Sequence, residues 1–225
     1  MTRFVEVYAG AYASGKSETA LNRALNFAKK GEKITLVDLD TVEPAYTLRP
    51  LESRLTQKGV DVITQPEYFG LGEAGSYVTP QQINCLTKEG NVIIDVGYGA
   101  SGLDILDVLT GIEKETCLLV YLVINTAKFE TCSVENVLEY IKFSQGSADK
   151  PWKSFAGFIS NTHLGDETTK EDIIKGYEIV KQVSLQTLIP IRAIGVSKKL
   201  ESEFSKTYDG ADVWFYDRMM PKALW

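Results

Sequence analysis

Short runs of apolar, β-branched residues alternate along the chain with longer stretches in which apolar positions recur every three or four residues. The short runs predict strands over 4–8, 34–37, 60–64, 92–95, 117–124, 155–160 and 191–196. Several, such as "CLLVYLVIN", are apolar at nearly every position, as strands buried on both faces of a parallel sheet are. The longer stretches predict helices. One covers 17–30 and ends in "KKG", with two lysines suited to the negative end of the helix dipole and Gly31 just past the last turn. Thr79, ahead of Pro80, caps a helix reaching to about Lys88. Ser133 caps a segment with Val134, Val137, Leu138 and Ile141 on one stripe. Thr168 and Glu171 form a capping box before Ile173, Ile174, Tyr177 and Val180. Repeated strand–helix units with right-handed crossovers predict an α/β fold, a doubly wound, mostly parallel sheet with helices on both faces. With no internal repeat, low-complexity tract or linker, one domain over 1–225 is the economical expectation.

Composition narrows the function. The 225 residues suffice for one well-buried core. A net charge of -6 with scattered basic residues argues against a protein that coats nucleic acid. Cys85, Cys117 and Cys132 share no CxxC spacing and read as reduced thiols rather than a disulfide framework or metal site. The start "MTRFVEVYAG" lacks the apolar core of a signal peptide, and no apolar run approaches the ~18 residues of a membrane span. A soluble, cytoplasmic protein is expected.

The candidate chemistry begins at Gly10, in "GAYASGKS". Gly10, Ala11, Tyr12, Ala13, Ser14, Gly15, Lys16 and Ser17 lie between a predicted strand and a predicted helix, the context in which G-x-x-x-x-G-K-S curls its backbone round a phosphate. The N–H groups point inward and the helix adds its positive end. Lys16 reaches the β- and γ-phosphates, and the Ser17 hydroxyl is suited to Mg²⁺. The next strand ends in "VDLDTVEPAY", which places Asp38 and Asp40 at the carboxyl edge, where α/β sheets bind ligands. Both are hard oxygen groups suited to water-mediated Mg²⁺ contact and to orienting an attacking water. "NVIIDVGYGASG" closes a buried strand with Asp95, placed to hold the metal's water shell, and Gly97, Gly99 and Gly102 allow the following loop to rearrange. "FAGFISNTHLG" ends in Asn161, suited to bridging a base and the phosphate loop. Thr162, His163 and Leu164 follow, with no carboxylate three residues on to read guanine, so ATP is favoured over GTP. His163 is the only histidine and reads as a loop residue.

In their order and spacing, "GAYASGKS", "LVDLDTVEP", "IIDVGYG", "GFISN" and "LIPI" resemble the MinD/ParA/CobQ-like (SIMIBI class) P-loop nucleotide-binding proteins over most of residues 1–200. The likeness is greatest to small stand-alone members with a VDLD-x-x-x-P loop. It implies that Lys16 and Ser17 hold phosphate and Mg²⁺, that Asp40 positions the hydrolytic water, that Asp95 supports the metal, and that Asn161 and the stretch after Ile189-Pro190 face the adenine. MinD and ParA types carry a second lysine where this chain has Ala11, so a dimer that shares a trans lysine is not implied. A homodimer built on other contacts stays open.

Three functions remain open on the sequence. One is a nucleotide switch in which slow Mg²⁺-dependent ATP hydrolysis is read by a protein partner. Another is an ATP-dependent small-molecule ligase or kinase resembling dethiobiotin synthetase, for which Arg49 is the one basic residue suited to an anionic substrate. The last is a scaffold that binds nucleotide without turnover. Tyr46 with Arg49, the glycine- and aromatic-bearing segment 65–77 and the tail "DVWFYDRMMPKALW" are further candidates for ligand or partner contact. For the tail, with Arg218 and Lys222, packing or a dimer contact is favoured over a membrane-targeting helix.

Overall fold

A computed structural model describes residues 3–41, 48–65, 77–146 and 150–220, apart from the Ser101 side chain. Tyr46, most of segment 65–77 and Lys222 lie outside the described residues. The elements are β1 (Val5–Gly10), α1 (Lys16–Lys29), β2 (Ile34–Leu39), α2 (Glu52–Thr56), β3 (Val60–Ile63), α3 (Pro80–Ile83), β4 (Asn91–Val96), α4 (Gly99–Asp104), β5 (Leu118–Ile124), α5 (Val134–Gln145), β6 (Phe155–Ser160), α6 (Lys170–Thr187), β7 (Ile191–Ser197), β8 (Thr207–Tyr208) and β9 (Ala211–Tyr216).

The strands form one nine-stranded sheet in the order β3-β2-β4-β1-β5-β6-β7-β9-β8. Every neighbouring pair is parallel except β8 with β9. This is the expected doubly wound architecture, and burial shows why those strands read as unbroken apolar runs. Along β1, Val5, Val7 and Ala9 pack with Val137 and Ile141 of α5 and Val180 and Val183 of α6. Tyr8 packs on the other face with Ala20, Leu21 and Ala24 of α1. With both faces covered, every residue of β1, β2 and β4 is buried. One buried charge belongs to this core. Glu6 of β1 accepts two hydrogen bonds from Arg23 of α1, at 3.0 Å each, and one from the Tyr8 hydroxyl at 2.7 Å. The guanidinium lies between the Phe27 and Trp214 rings, 4.3 Å from each centroid. Satisfied this fully, the pair fixes the helix on the sheet, whereas removal of either partner would strand a buried charge.

Three expectations need correction. The helix expected to reach Lys88 stops at Ile83, and Cys85–Thr87 continues as a tighter 3₁₀ turn. The capping box of α6 is one residue later than expected. Thr169 accepts from the Asp172 N–H while the Asp172 carboxylate accepts from the Thr169 N–H. The Thr168 hydroxyl is engaged instead with Leu164 and Gly165. The tail contains a strand that the apolar pattern did not predict. Asp209 and Gly210, both with positive φ, turn β8 into β9, and β9 lies parallel to β7. Beyond it, residues 217–220 are strapped to α1. Glu18 accepts from the N–H groups of Met219 (2.5 Å) and Met220 (3.2 Å), and Asn22 exchanges hydrogen bonds with the main chain of Asp217. Met219 and Met220 are buried, so this stretch packs within the fold, and no described helix is long and apolar enough to cross a membrane.

Candidate nucleotide-binding site

The carboxyl ends of β2, β4, β1, β5 and β6 gather the sequence-predicted residues at one edge. The loop after β1 turns tightly, with the Ser14 N–H on the Ala11 carbonyl at 3.1 Å. Ala13 takes φ 53, an unusual conformation for a residue with a side chain. Gly10 has no room for more than hydrogen, since a Cβ there would lie 2.4 Å from Ser14 Oγ and 2.6 Å from the Val123 carbonyl. Gly15 has φ 84 and stands as the N-cap of α1 with no side-chain cap, so the first N–H groups of a 14-residue helix are left for a ligand.

Charge is concentrated beside this loop. The Lys16 ammonium lies 2.9 Å from Asp40 Oδ2, both side chains being buried. Burial opposes the ammonium charge, but Asp40 and then Asp95 outweigh it and hold the Lys16 pKa above its ordinary value. Asp38 and Asp95 face each other across the β2–β4 ladder. Asp95 is buried, and that burial, with Asp38 and Asp40 adding to it against Lys16, pushes its carboxyl up to about 8. Ser17 hydrogen-bonds to it. Asp95 Oδ1 is buried with no hydrogen-bond partner among the described residues, an acceptor placed next to the Ser17 hydroxyl. Asp38 supports the loop: Oδ1 accepts from the Asp40 N–H (3.1 Å), Oδ2 from the Leu48 N–H (2.8 Å), and its main-chain carbonyl from Gln82 Nε2 at 2.6 Å. Asp38, expected to act on water, thus also ties Asp40 to Leu48.

The opposite side is built from amides. Asn161 Nδ2 donates to the Ser14 carbonyl at 2.8 Å. With the nitrogen committed, its oxygen faces Gly195 of β7, where a Cβ would lie 2.2 Å from Oδ1. Asn125, at the end of β5 and fully buried, donates to the Ala13 carbonyl at 3.3 Å. A cavity opens between these groups and the tail, lined among others by Gly15, Asn161, His163, Asp166, Gly195 and Arg218. His163, read from the sequence as a loop residue, sits against the phosphate loop. Burial, followed by Lys128 and Arg218, takes its pKa down to about 4 despite a hydrogen bond to the Ser14 backbone. Asp166 at the cavity lies 2.7 Å from Lys199 and 3.4 Å from Arg218. Tyr12 is exposed on the loop, its ring 6.1 Å from that of Tyr98. The Gly99 N–H of the glycine-bearing loop donates to the Tyr140 hydroxyl at 3.1 Å.

Asn125 was not singled out by sequence, and Arg218 was read only as part of the tail, not as a residue of this cavity. For Asn125 a signal was present, because "LVIN" and "FISN" are adjacent strands that both end in asparagine, with Ile124 paired to Ser160. Arg218 was visible as a basic residue of the tail, but its place at the cavity depends on β9.

A doubly wound sheet with a glycine-bounded loop, a buried lysine and a strand-ending aspartate at one edge defines the P-loop nucleotide-binding fold. Solved structures agree. The chain is similar to FtsY from Mycoplasma mycoides, with a TM-score of 0.59 and 20% identity over 87% of this chain and 60% of that one. It is similar to the signal recognition particle receptor FtsY from Elizabethkingia anophelis, with a TM-score of 0.58 and 19% identity over 93% of this chain and 63% of that one. The latter receptor has also been solved in complex with GDP, where the TM-score is 0.55 and the identity 21% over 87% of this chain and 58% of that one. The chain therefore spans about three fifths of the proteins it resembles. No protein-family model and no curated protein matches the sequence. The fold is shared, and the MinD/ParA/CobQ-like resemblance rests on the motifs alone.

Proposed function

We propose that this protein binds Mg²⁺–ATP and hydrolyses it slowly, as a nucleotide switch for a protein partner. The observation that carries the reading is the buried Lys16–Asp40 pair at the N-terminus of α1, beside Asp95 Oδ1, which has no hydrogen-bond partner among the described residues. Lys16 and the N–H groups of residues 15–17 bind the β- and γ-phosphates. The donor set fits magnesium. The Ser17 hydroxyl would hold the ion, Asp95 would order its water shell, and the ion would supply charge neutralisation on the phosphates. Bound phosphate competes with Asp40 for Lys16. Asp40, once released, orients the water whose oxygen attacks the γ-phosphorus while the bond to the β–γ bridging oxygen breaks. Because Asp38 ties Asp40 to Leu48, that exchange is passed on to the chain around Leu48, where a partner reads it.

Adenine is favoured by Asn161, whose nitrogen is committed to Ser14 and whose oxygen is left to accept from the 6-amino group of adenine, where guanine presents another acceptor. Leu164 stands where a guanine-reading carboxylate would be. A second reading, GTP, is favoured by Asp166, a carboxylate at the cavity, and by the Elizabethkingia receptor's complex with GDP. Calorimetric titration with Mg²⁺–ATP and Mg²⁺–GTP, using Lys16→Ala as control, decides between them. ATP binding at least about tenfold tighter than GTP and lost in the control is expected. Preference for GTP selects the second reading, and no binding of either refutes both.

A further inference from the structure

The Asn125 side chain makes four hydrogen bonds to three segments. Its Nδ2 donates to the Ala13 carbonyl of the phosphate loop at 3.3 Å and to the His163 carbonyl at 3.2 Å. Its Oδ1 accepts from the His163 N–H at 3.1 Å and the Ala127 N–H at 3.1 Å. Both hydrogens and both lone-pair sites of the amide are used, and the residue is fully buried. The pairing with His163 engages both main-chain groups of that residue, so the amide acts there like a short piece of neighbouring strand. His163 follows Asn161, whose amide pins the Ser14 carbonyl. Two consecutive carbonyls of the phosphate loop, Ala13 and Ser14, are thus held by amides from the ends of β5 and β6. Fixing those carbonyls fixes the orientation of the intervening peptide units, including the strained one at Ala13, and with them the direction of the N–H groups that follow.

We propose that Asn125 is a positioning residue that sets the phosphate loop and the 161–165 loop in one register, so that phosphate binding and base binding reinforce each other. The inference rests on the nucleotide-binding reading and adds the link between its two subsites. Each loop ordered by one end of the ligand is already ordered for the other end, because Asn125 bridges them. Replacement of the side chain removes the bridge as well as the support for Ala13. A residue that merely stabilised the fold would lower thermal stability and leave affinities unchanged below the transition.

The test compares Mg²⁺–ATP with inorganic tripolyphosphate, which fills only the phosphate loop, on the full chain. Asn125→Ala is expected to weaken ATP binding roughly a hundredfold and tripolyphosphate binding only about tenfold. Equal losses for the two ligands, or ATP affinity within about twofold of wild type, overturn the coupling. Where Asn125→Ala does not fold, hydrogen exchange on the wild-type protein gives the answer. Tripolyphosphate alone should slow exchange of the His163 and Ala127 amides by about tenfold, and unchanged exchange at both overturns the proposal. Failure of the wild type to bind ATP or GTP at all refutes the nucleotide reading itself, a result distinct from equal losses in the variant.

Discussion

The two sides of the carboxyl edge are built from different chemistry. On the β5–β6 side, neutral amides meet neutral backbone, and every hydrogen-bonding group of Asn125 has a partner. On the β2–β4 side, Asp38, Asp40 and Asp95 crowd one buried lysine, and Asp95 Oδ1 has no hydrogen-bond partner among the described residues. Neutral hydrogen bonds close the first side without a ligand. On the second side three carboxyl groups share the Lys16 ammonium, an arrangement that on the proposed reading phosphate and a cation would relieve. On the proposed reading the amide side is the rigid half that selects and the charged side is the half that responds.

The comparison breaks most severely at Gly15, where the two sides meet. A Cβ there would lie 2.3 Å from Asn161 Nδ2 and 3.2 Å from His163 Nε2, at φ 84. Gly15→Ala is expected to lower nucleotide affinity at least about a hundredfold, or ~2.7 kcal/mol, in an equilibrium titration. A variant that binds normally would mean that the rigid half tolerates displacement.

Asp40→Ala tests the responsive half. The variant should bind Mg²⁺–ATP, because Lys16 loses a competitor, but release ADP at least about tenfold more slowly, a rise of ~1.4 kcal/mol in the barrier. Rates equal to wild type would remove Asp40 from the chemistry.

The smallest effect is in the pH dependence of stability. The folded state holds a proton on Asp95 up to about 8, whereas the ordinary value is 3.8. Between those values the folded chain binds more protons than the unfolded chain, so stability falls as pH rises through the window. Asp95→Asn, measured by denaturant melts without nucleotide, should lose that component and be the more stable protein at pH 9. An unchanged slope would show that Asp95 is not compressed by its neighbours.

How much of this was legible in the sequence follows from how local each feature is. The phosphate loop is contiguous, strand to loop to helix, and "GAYASGKS" carries it within a few residues. Asp95 and Asn161 end apolar strands and are visible for the same reason. Asn125 follows the same rule, but its partners Ala13 and His163 are 112 and 38 residues away in sequence, and nothing in "LVINTAKF" names them. β9 was hidden because its inward and outward positions both carry aromatic residues, which blurs alternation in "ADVWFY", although the Asp209-Gly210 turn marked its hairpin. The α6 cap slipped by one because "TTKED" offers two threonines, each with an acid three residues on. For Asp38 the sequence shows a carboxylate at the edge but not the backbone N–H groups of Asp40 and Leu48 that it accepts from.

The most direct test of the central claim is steady-state release of ADP by the purified protein with Mg²⁺ and ATP, with Lys16→Ala in parallel. Slow turnover by the wild type that disappears in Lys16→Ala is the predicted result. Tight binding of ATP with no turnover, or turnover that persists in Lys16→Ala, would contradict it.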